Sequence, residues 1–258
     1  MADTATARLA ALVDELARAH RRAVPAPRGL PYLGLDHPSG TPFRLLDGLA
    51  ARGIFRKYEL VLELGAGLGA ASRWLATRLG CEVVGTATDG EEAVVAAELT
   101  RRAGLVSQIR FVPAAADALP FRAGRFTHVW AVESLARFAD ADRPLAEAFR
   151  VVRRGGTFAM QELVTADCGS VAIPGWHVAS ARERSDALAR AGFVDVEMRD
   201  RTADAAERSA QVLAARAQLT RRIAADATLA SIGAERDALG GALASGAVRV
   251  VQLLAHRP

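Results

Sequence analysis

Lysine occurs once in this chain, at Lys57, and cysteine twice, at Cys81 and Cys168. Two cysteines 87 residues apart, with no C-x-x-C pair, supply neither a four-ligand zinc site nor a disulfide framework. No metal is therefore expected, and a chain so poor in cysteine is expected in the cytoplasm. Aromatic residues make up only 5%. No apolar run approaches the roughly 18 residues of a membrane-spanning helix. The N-terminus, with Asp3 and no cationic stretch ahead of an apolar one, does not read as a secretion signal. A net charge of +4 and a pI near 9.8 would suit a polyanion binder, but the basic residues are almost all arginines, scattered singly or in pairs. They read as a solvated surface, so neither nucleic acid nor a membrane is the expected partner.

What the chain has in abundance is alanine, 56 of 258 residues within a hydrophobic total of 51%. The bulky apolar remainder still suffices for a core, and the alanine favours helices. Residues 5–24 place Leu9, Leu12, Val13, Leu16 and Ala17 at helical spacing, with Pro25 and Pro27 stopping the helix. A Pro/Gly-rich stretch runs on to Pro42, and a short helix is expected at 43–53. From Glu59 the rhythm predicts strands near 59–64, 82–86, 109–113, 126–132 and 156–164, with helices near 69–79, 90–103 and 142–153. A loop at 166–176, a helix at 180–191, a strand at 193–199, a long helical region at 203–243 and a strand at 247–255 complete the pattern. This alternation predicts an α/β fold with a doubly wound, seven-stranded, mostly parallel sheet. The length suits a single domain over 1–258: N-terminal helix and proline-rich segment (1–42), ligand-binding core (43–165), and small helical lid with the C-terminal strands (166–258).

The stretch Val61-Leu62-Glu63-Leu64-Gly65-Ala66-Gly67-Leu68-Gly69 ends a strand and opens a helix. Its glycines let the backbone turn tightly and approach a ligand, while the following helix offers its N-terminus. The spacing is G-x-G-x-G rather than the G-x-G-x-x-G of dinucleotide sites, with an acid two residues ahead. A carboxylate at Glu63 would repel a pyrophosphate and suits a cationic or amine-bearing nucleotide-like ligand.

This E-x-G-x-G resembles motif I of the class I S-adenosylmethionine-dependent methyltransferases. Leu119-Pro120-Phe121, the run from Arg125 to Leu135 (R-F-T-H-V-W-A-V-E-S-L), the turn Phe149 to Gly156 and the last strand Val250 to Pro258 are similar to further segments of that family. Among its branches the small-molecule ubiquinone, sterol and sugar methyltransferases, of the rebeccamycin sugar O-methyltransferase type, are the most similar. The resemblance implies a Rossmann-like methyltransferase fold, S-adenosylmethionine as cofactor with S-adenosylhomocysteine as product, and a small-molecule acceptor. It implies cofactor contacts from Glu63, Gly65, Ala66, Gly67 and Gly69, from Thr86, Ala87 and Thr88 at the second strand, from Ala115, Ala116 and Asp117, and from Ala131 and Glu133 at the fourth.

The chain departs from that pattern in several places, among them a shorter region after the fifth strand that cuts down the lid. Ala87 stands where the family commonly has a ribose-binding acid, with Thr86, Thr88 and Glu92 as candidate substitutes. Ala115 stands where an adenine-binding aspartate is usual, with Asp117 two residues later. Ala136 and Arg137 replace the histidine pair of the sugar-modifying relatives, which removes the expected general base and argues against a sugar hydroxyl as acceptor. The catalytic candidates that remain are Glu162, on the fifth strand, and His177, in the loop Pro174-Gly175-Trp176-His177. His37, in Asp36-His37-Pro38, is a further candidate base, and Trp176 a candidate acceptor-stacking ring. The expected function is methylation of a small-molecule, natural-product acceptor. The alternatives are a cofactor-retaining enzyme that cyclises or rearranges such a molecule, or a non-catalytic family member. Alanine-rich helices at both ends can support a homodimer.

Overall fold

The computed structural model describes residues 4–22, 26, 28–53, 59–166, 171–206 and 210–258. The first helix, α1 (Ala5–Arg21), opens on Thr4, whose hydroxyl accepts from the Ala7 amide, and buries Leu9, Leu12, Val13, Leu16 and Ala17 as their spacing predicts. Residues 23–25 and Pro27, expected to end it, lie outside the described residues. After α2 (Leu45–Gly53) come β1 (Leu60–Leu64), α3 (Ala70–Leu79), β2 (Glu82–Ala87), α4 (Gly90–Arg102), β3 (Ile109–Pro113), β4 (Phe126–Val132), α5 (Asp142–Val151) and β5 (Val152–Thr165). The chain closes with α6 (Ala181–Arg190), β6 (Val194–Asp200), α7 (Thr202–Ala206), α8 (Ala210–Ala224), α9 (Ala230–Ala244) and β7 (Val248–His256).

The sheet has the order β3-β2-β1-β4-β5-β7-β6, with the first five strands parallel and β7 inserted antiparallel between β5 and β6. This is the expected seven-stranded, mostly parallel, doubly wound sheet. Two details differ. The fifth strand begins at Val152, four residues before its predicted start, because the chain passes from α5 straight into extended backbone at Val152, with Gly155 turning at φ 71° within the strand. The helical region expected at 203–243 is broken, with residues 207–209 undescribed and Asp226 capping a 3₁₀ turn at Ala227–Leu229 between α8 and α9.

One face of the sheet packs Leu145, Ala148 and Val151 of α5 and Leu188 of α6 against Leu62, Val129 and Phe158. The other packs Leu46 and Leu49 of α2 and Trp74 and Leu75 of α3 against Val61, Val83 and Trp130. Trp130, with its ring 6.4 Å from that of Trp74, is a sheet-packing residue, as its place in a strand suggests. A separate apolar cluster joins α1 to Tyr32, Leu33 and Leu35 and to Leu219 and Ile223 of α8. Among the described residues no helix is long and apolar enough to cross a membrane, and no group of three or more His, Cys, Asp and Glu is placed to hold a metal ion.

Strand order reverses between β1 and β4: the chain runs outward through β2 and β3, then returns to the other side of β1. Open α/β sheets bind ligands in the crevice at such a switch point, beyond the carboxyl ends of the strands. Glu63 and Glu133 stand at those two ends.

Candidate functional site

A cavity of about 590 Å³ opens over the carboxyl ends of β1 and β4. Its floor is Glu63, Gly65, Ala66, Gly67 and Leu68 from the glycine loop, with Glu133 and Ser134 after β4. Its roof is Thr6 and Leu9 of α1, the segment Asp36-His37-Pro38, the loop residues Gly175 and Trp176, and Ile232, Glu235 and Arg236 of α9. A second cavity of about 490 Å³ lies between α1 and α8, where Arg8 already pairs with Asp226 and Arg222 with Glu15.

The loop conformation demands glycine. Gly65 has φ 62°, in the left-handed region, and a Cβ there would sit 2.8 Å from the Cβ of Ser134. Gly67, at φ 53°, faces the cavity instead, with only Glu92 Oε1, at 3.7 Å, near a notional Cβ. Thr86 braces the turn from β2: its hydroxyl donates to the Glu63 carbonyl at 3.2 Å and accepts from the Gly65 amide at 3.3 Å. Burial pushes the Glu63 carboxyl up to about 7, against the hydrogen bond from the Ser72 hydroxyl. Such a group gains a charge most readily when a cation is placed beside it.

Glu133 is the more committed carboxylate. It is a non-glycine residue at φ 55°, a conformation that costs about 1–2 kcal/mol, and four side chains converge on it. It accepts from the hydroxyls of Ser39 and Thr41, from Gln161 Nε2 at 3.1 Å and from His37 Nε2 at 2.9 Å. Gln161 is held in turn by Gln252 Nε2 at 3.0 Å. Burial alone would raise the Glu133 pKa, but the neighbouring His37 and these donors outweigh it and hold the carboxyl below its ordinary value. The His37 ring packs edge-on to Phe43 at 5.2 Å and lines the cavity.

Arginines do much of the joining, which corrects the expectation of a uniformly solvated set. Arg73, fully buried on α3, donates to Asp36 at 2.7 Å, to Thr100 at 2.9 Å and to the Leu68 carbonyl. Arg216 of α8 donates to the carbonyls of His37 and Pro38 at 3.4 and 3.1 Å. The segment that carries His37 is thereby pinned to both α3 and α8. On the far wall, Arg137 pairs with Glu235 at 2.5 Å and lies 4.7 Å over the Trp176 ring, whose Nε1 also donates to Glu235.

Of the residues expected to hold a cofactor, Glu63, Gly65, Ala66, Gly67, Thr88 and Glu133 line the cavity. Thr86 and Gly69 act on the loop from behind, Gly69 because a Cβ there would come within 2.5 Å of Phe111. Ala87 is buried and accepts the Ala114 amide, Ala116 and Ala131 are buried in the core, and Ala115 and Asp117 face outward. The structure thus does not bring Asp117 to the cavity. The acids that reach that wall are Asp89, which caps α4, and Glu92 in its first turn, raised in pKa by burial.

The two catalytic candidates fall elsewhere. Glu162 is fully buried behind the wall, accepting the amides of Ala136 at 3.1 Å and Leu163 at 3.0 Å, and burial pushes its carboxyl up to about 7. Its place is that of a clasp on the 3₁₀ turn Leu135–Arg137. His177 is exposed; its amide donates to the Ala136 carbonyl and its own carbonyl accepts from Arg184 at 3.1 Å. It touches the structure through its backbone and does not line the cavity. Ser39, Thr41 and Gln161 went unnoticed because hydroxyl and amide residues carry no spacing signal. Arg236 did so because A-E-R-D in an alanine-rich helix reads as a solvated face.

Residues 62–160 match the methyltransferase domain family. Methyltransferase GfsG of Streptomyces halstedii is 35% identical over 104 residues, 40% of this chain and 37% of that protein. Sarcosine/dimethylglycine N-methyltransferase of Halorhodospira halochloris is 35% identical over 107 residues, 42% of this chain and 38% of that one. The matches thus span well under half the length of these curated relatives. In fold, the crystal structure of the [4+2]-cyclase SpnF is similar at a TM-score of 0.73 and 23% identity, over 100% of this chain and 97% of that one.

Proposed function

We propose, for a chain that belongs to the class I S-adenosylmethionine-dependent methyltransferases, that it methylates a hydroxyl of a small-molecule, natural-product acceptor in the cavity above Glu63 and Glu133. The observation that carries this reading is the cavity at the switch point, with a glycine cradle, a buried acid able to meet a cation, and a buried His37–Glu133 pair on one wall. The donor set fits the cofactor: Glu63 toward its cationic end, Gly65 and Gly67 beneath it, and Thr88, Asp89 and Glu92 toward ribose hydroxyls. S-adenosylmethionine supplies an activated sulfonium methyl for in-line displacement.

The protein's own work is alignment, exclusion of water and removal of one proton. Because Glu133 is held ionised, it accepts from His37, so Nε2 of the imidazole carries the hydrogen and Nδ1 is left as the proton acceptor. As the acceptor hydroxyl attacks, Nδ1 takes its proton and Glu133 stabilises the resulting imidazolium, the division of labour of a histidine–carboxylate pair. His37 thereby supplies, from the N-terminal part of the chain, the base that is missing after Leu135. Trp176, with Arg137 over its ring, offers an apolar face to an acceptor ring, and α1 and α9 cover part of the cavity and so limit its exposure to water.

The test is calorimetric titration with S-adenosylmethionine and S-adenosylhomocysteine, followed by assay of methyl-labelled cofactor against a panel of phenols and alcohols. Micromolar binding and label transfer are expected; no binding at millimolar ligand would overturn the reading. A second reading is favoured by the absent histidine pair and by the fold likeness to a [4+2]-cyclase: cofactor is retained and the acceptor is cyclised or rearranged. Product with no label in it, formed only when cofactor is bound, would select that reading.

A further inference from the structure

Three basic side chains line the cavity, and two are already answered: His37 by Glu133 and Arg137 by Glu235. The third, Arg236 of α9, has no carboxylate within ion-pair distance among the described residues. Its Nη2 donates to the Leu35 carbonyl at 2.7 Å, and its buried Nε has no hydrogen-bond partner. The nearest acids are engaged elsewhere: Asp36 with Arg73 at 2.7 Å, Glu235 with Arg137 and Trp176. Burial lowers the Arg236 pKa to about 10, which leaves it a cation at neutral pH. A half-buried guanidinium that lines the cavity without a counter-charge, its Nε shut off and unpaired, is costly to maintain unless something completes it.

What surrounds the guanidinium indicates what that is. Leu35, which Arg236 holds, precedes Asp36, which Arg73 ties to α3, so the guanidinium lies toward the end of the cavity where α3 begins. Ala70 and Ala71 of the first turn of α3, together with Gly67 and Leu68, form the cavity wall there. The N-terminus of a ten-residue helix favours negative charge and presents amides that no helical carbonyl can satisfy. Ser134 Oγ, also on the wall and 2% exposed as a residue, is a second buried polar atom without a partner among the described residues.

We propose that Arg236 is the lid-helix ligand of a carboxylate bound in this cavity, clamping it against the start of α3. This rests on the methyltransferase reading and deepens it, because it makes α9 part of ligand recognition. A carboxylate has two sources here, the amino-acid end of the cofactor and an acidic acceptor. The position beside α3 favours the first.

Calorimetry on the full chain separates the sources. S-adenosylhomocysteine carries the amino-acid carboxylate; 5′-methylthioadenosine has the same nucleoside without it. For Arg236→Met we expect S-adenosylhomocysteine to bind about ten- to hundredfold more weakly, the worth of one charge-assisted hydrogen-bonded pair, with 5′-methylthioadenosine unchanged. Arg236→Lys should recover part of the loss. A variant that merely fails to fold would weaken both ligands, which the lysine variant and the nucleoside control expose. If S-adenosylhomocysteine binds the methionine variant undiminished, benzoate and 4-hydroxybenzoate are titrated into the cofactor-product complex. Binding to wild type that disappears in Arg236→Met assigns the carboxylate to the acceptor. Equal affinity of wild type and variant for every one of these ligands overturns the inference. Failure of wild type to bind either nucleoside overturns the methyltransferase reading, and the clamp with it.

Discussion

The floor and the roof of the cavity are built on opposite plans. The floor is made of sheet ends and one tight loop, all within 63–134, and its shape is set by backbone: left-handed glycines, a hydroxyl brace from Thr86 and strands buried on both faces. The roof is gathered from residues 6–38 and 175–236 and is held by side chains: the apolar stripe of α1, and Arg73, Arg216 and Arg236 each gripping the segment around His37. The difference assigns the parts of the chemistry. A floor fixed by backbone can serve one invariant ligand, while a roof fixed by side chains can be redrawn for the molecule that enters above it.

The sharpest way to break this division is Gly67→Arg. Gly67 has room around it but faces the cavity at positive φ, so an arginine must project into the ligand space. Cofactor binding should fall by more than about a hundredfold, while α1 and α8 remain packed as judged by hydrogen exchange. Unchanged cofactor affinity would show that the glycine loop is not the binding surface.

His37→Gln and Glu133→Gln probe the place where roof and floor meet. Turnover of a hydroxyl acceptor should drop by about 10²–10⁴ for the first, the range of a lost general base, with the cofactor dissociation constant within about threefold of wild type. Glu133→Gln should slow turnover less, by about tenfold, because the imidazolium that forms in the reaction loses its counter-charge. Undiminished turnover in that variant would remove Glu133 from the mechanism and leave it as a structural acceptor.

The floor and roof also differed in how far they could be read in advance. The E-x-G-x-G run announced itself because only glycine tolerates those backbone angles, and strand alternation placed it at the switch point. The roof carries no such signature: His37 stood out only as a histidine between aspartate and proline, and nothing in the spacing tied it to Glu133, 96 residues away. Glu162 was attractive for its place on the fifth strand and His177 for its place in the loop that follows, yet Glu162 turns back to clasp the 135–137 turn and His177 faces solvent. Reading by motif finds what backbone geometry dictates; long-range side-chain convergence it does not find.

Solution pH sharpens the contrast within the floor itself. Glu63 is raised to about 7 from an unfolded value near 4.5. Between those values the folded state binds more protons than the unfolded one, so this group lowers stability as pH rises from 4.5 to 7 and the penalty is complete above 7. Glu162 acts in the same sense and window. Glu63→Gln should therefore raise the melting temperature at pH 8 more than at pH 5, while weakening cofactor binding about tenfold by removing the charge that faces its cation. If its melting temperature shift is the same at both pH values, the buried carboxyl is not titrating in this range.

The smallest expected effect tests whether the roof is held as a unit. Thr4 caps α1 through the Ala7 amide and also donates to Glu91 on α4, so it closes the helix and fastens it to the floor's second layer at once. Thr4→Ala should cost about 0.5–2 kcal/mol, the worth of an N-cap. Because α1 packs on α4 and α8 rather than on the sheet, that loss should appear as faster amide exchange in α1 and α8 and leave β1 and β4 unchanged. Uniform acceleration across the sheet would mean that roof and floor open together, and that the adaptable roof inferred from its side-chain construction is in fact locked to the backbone-built floor.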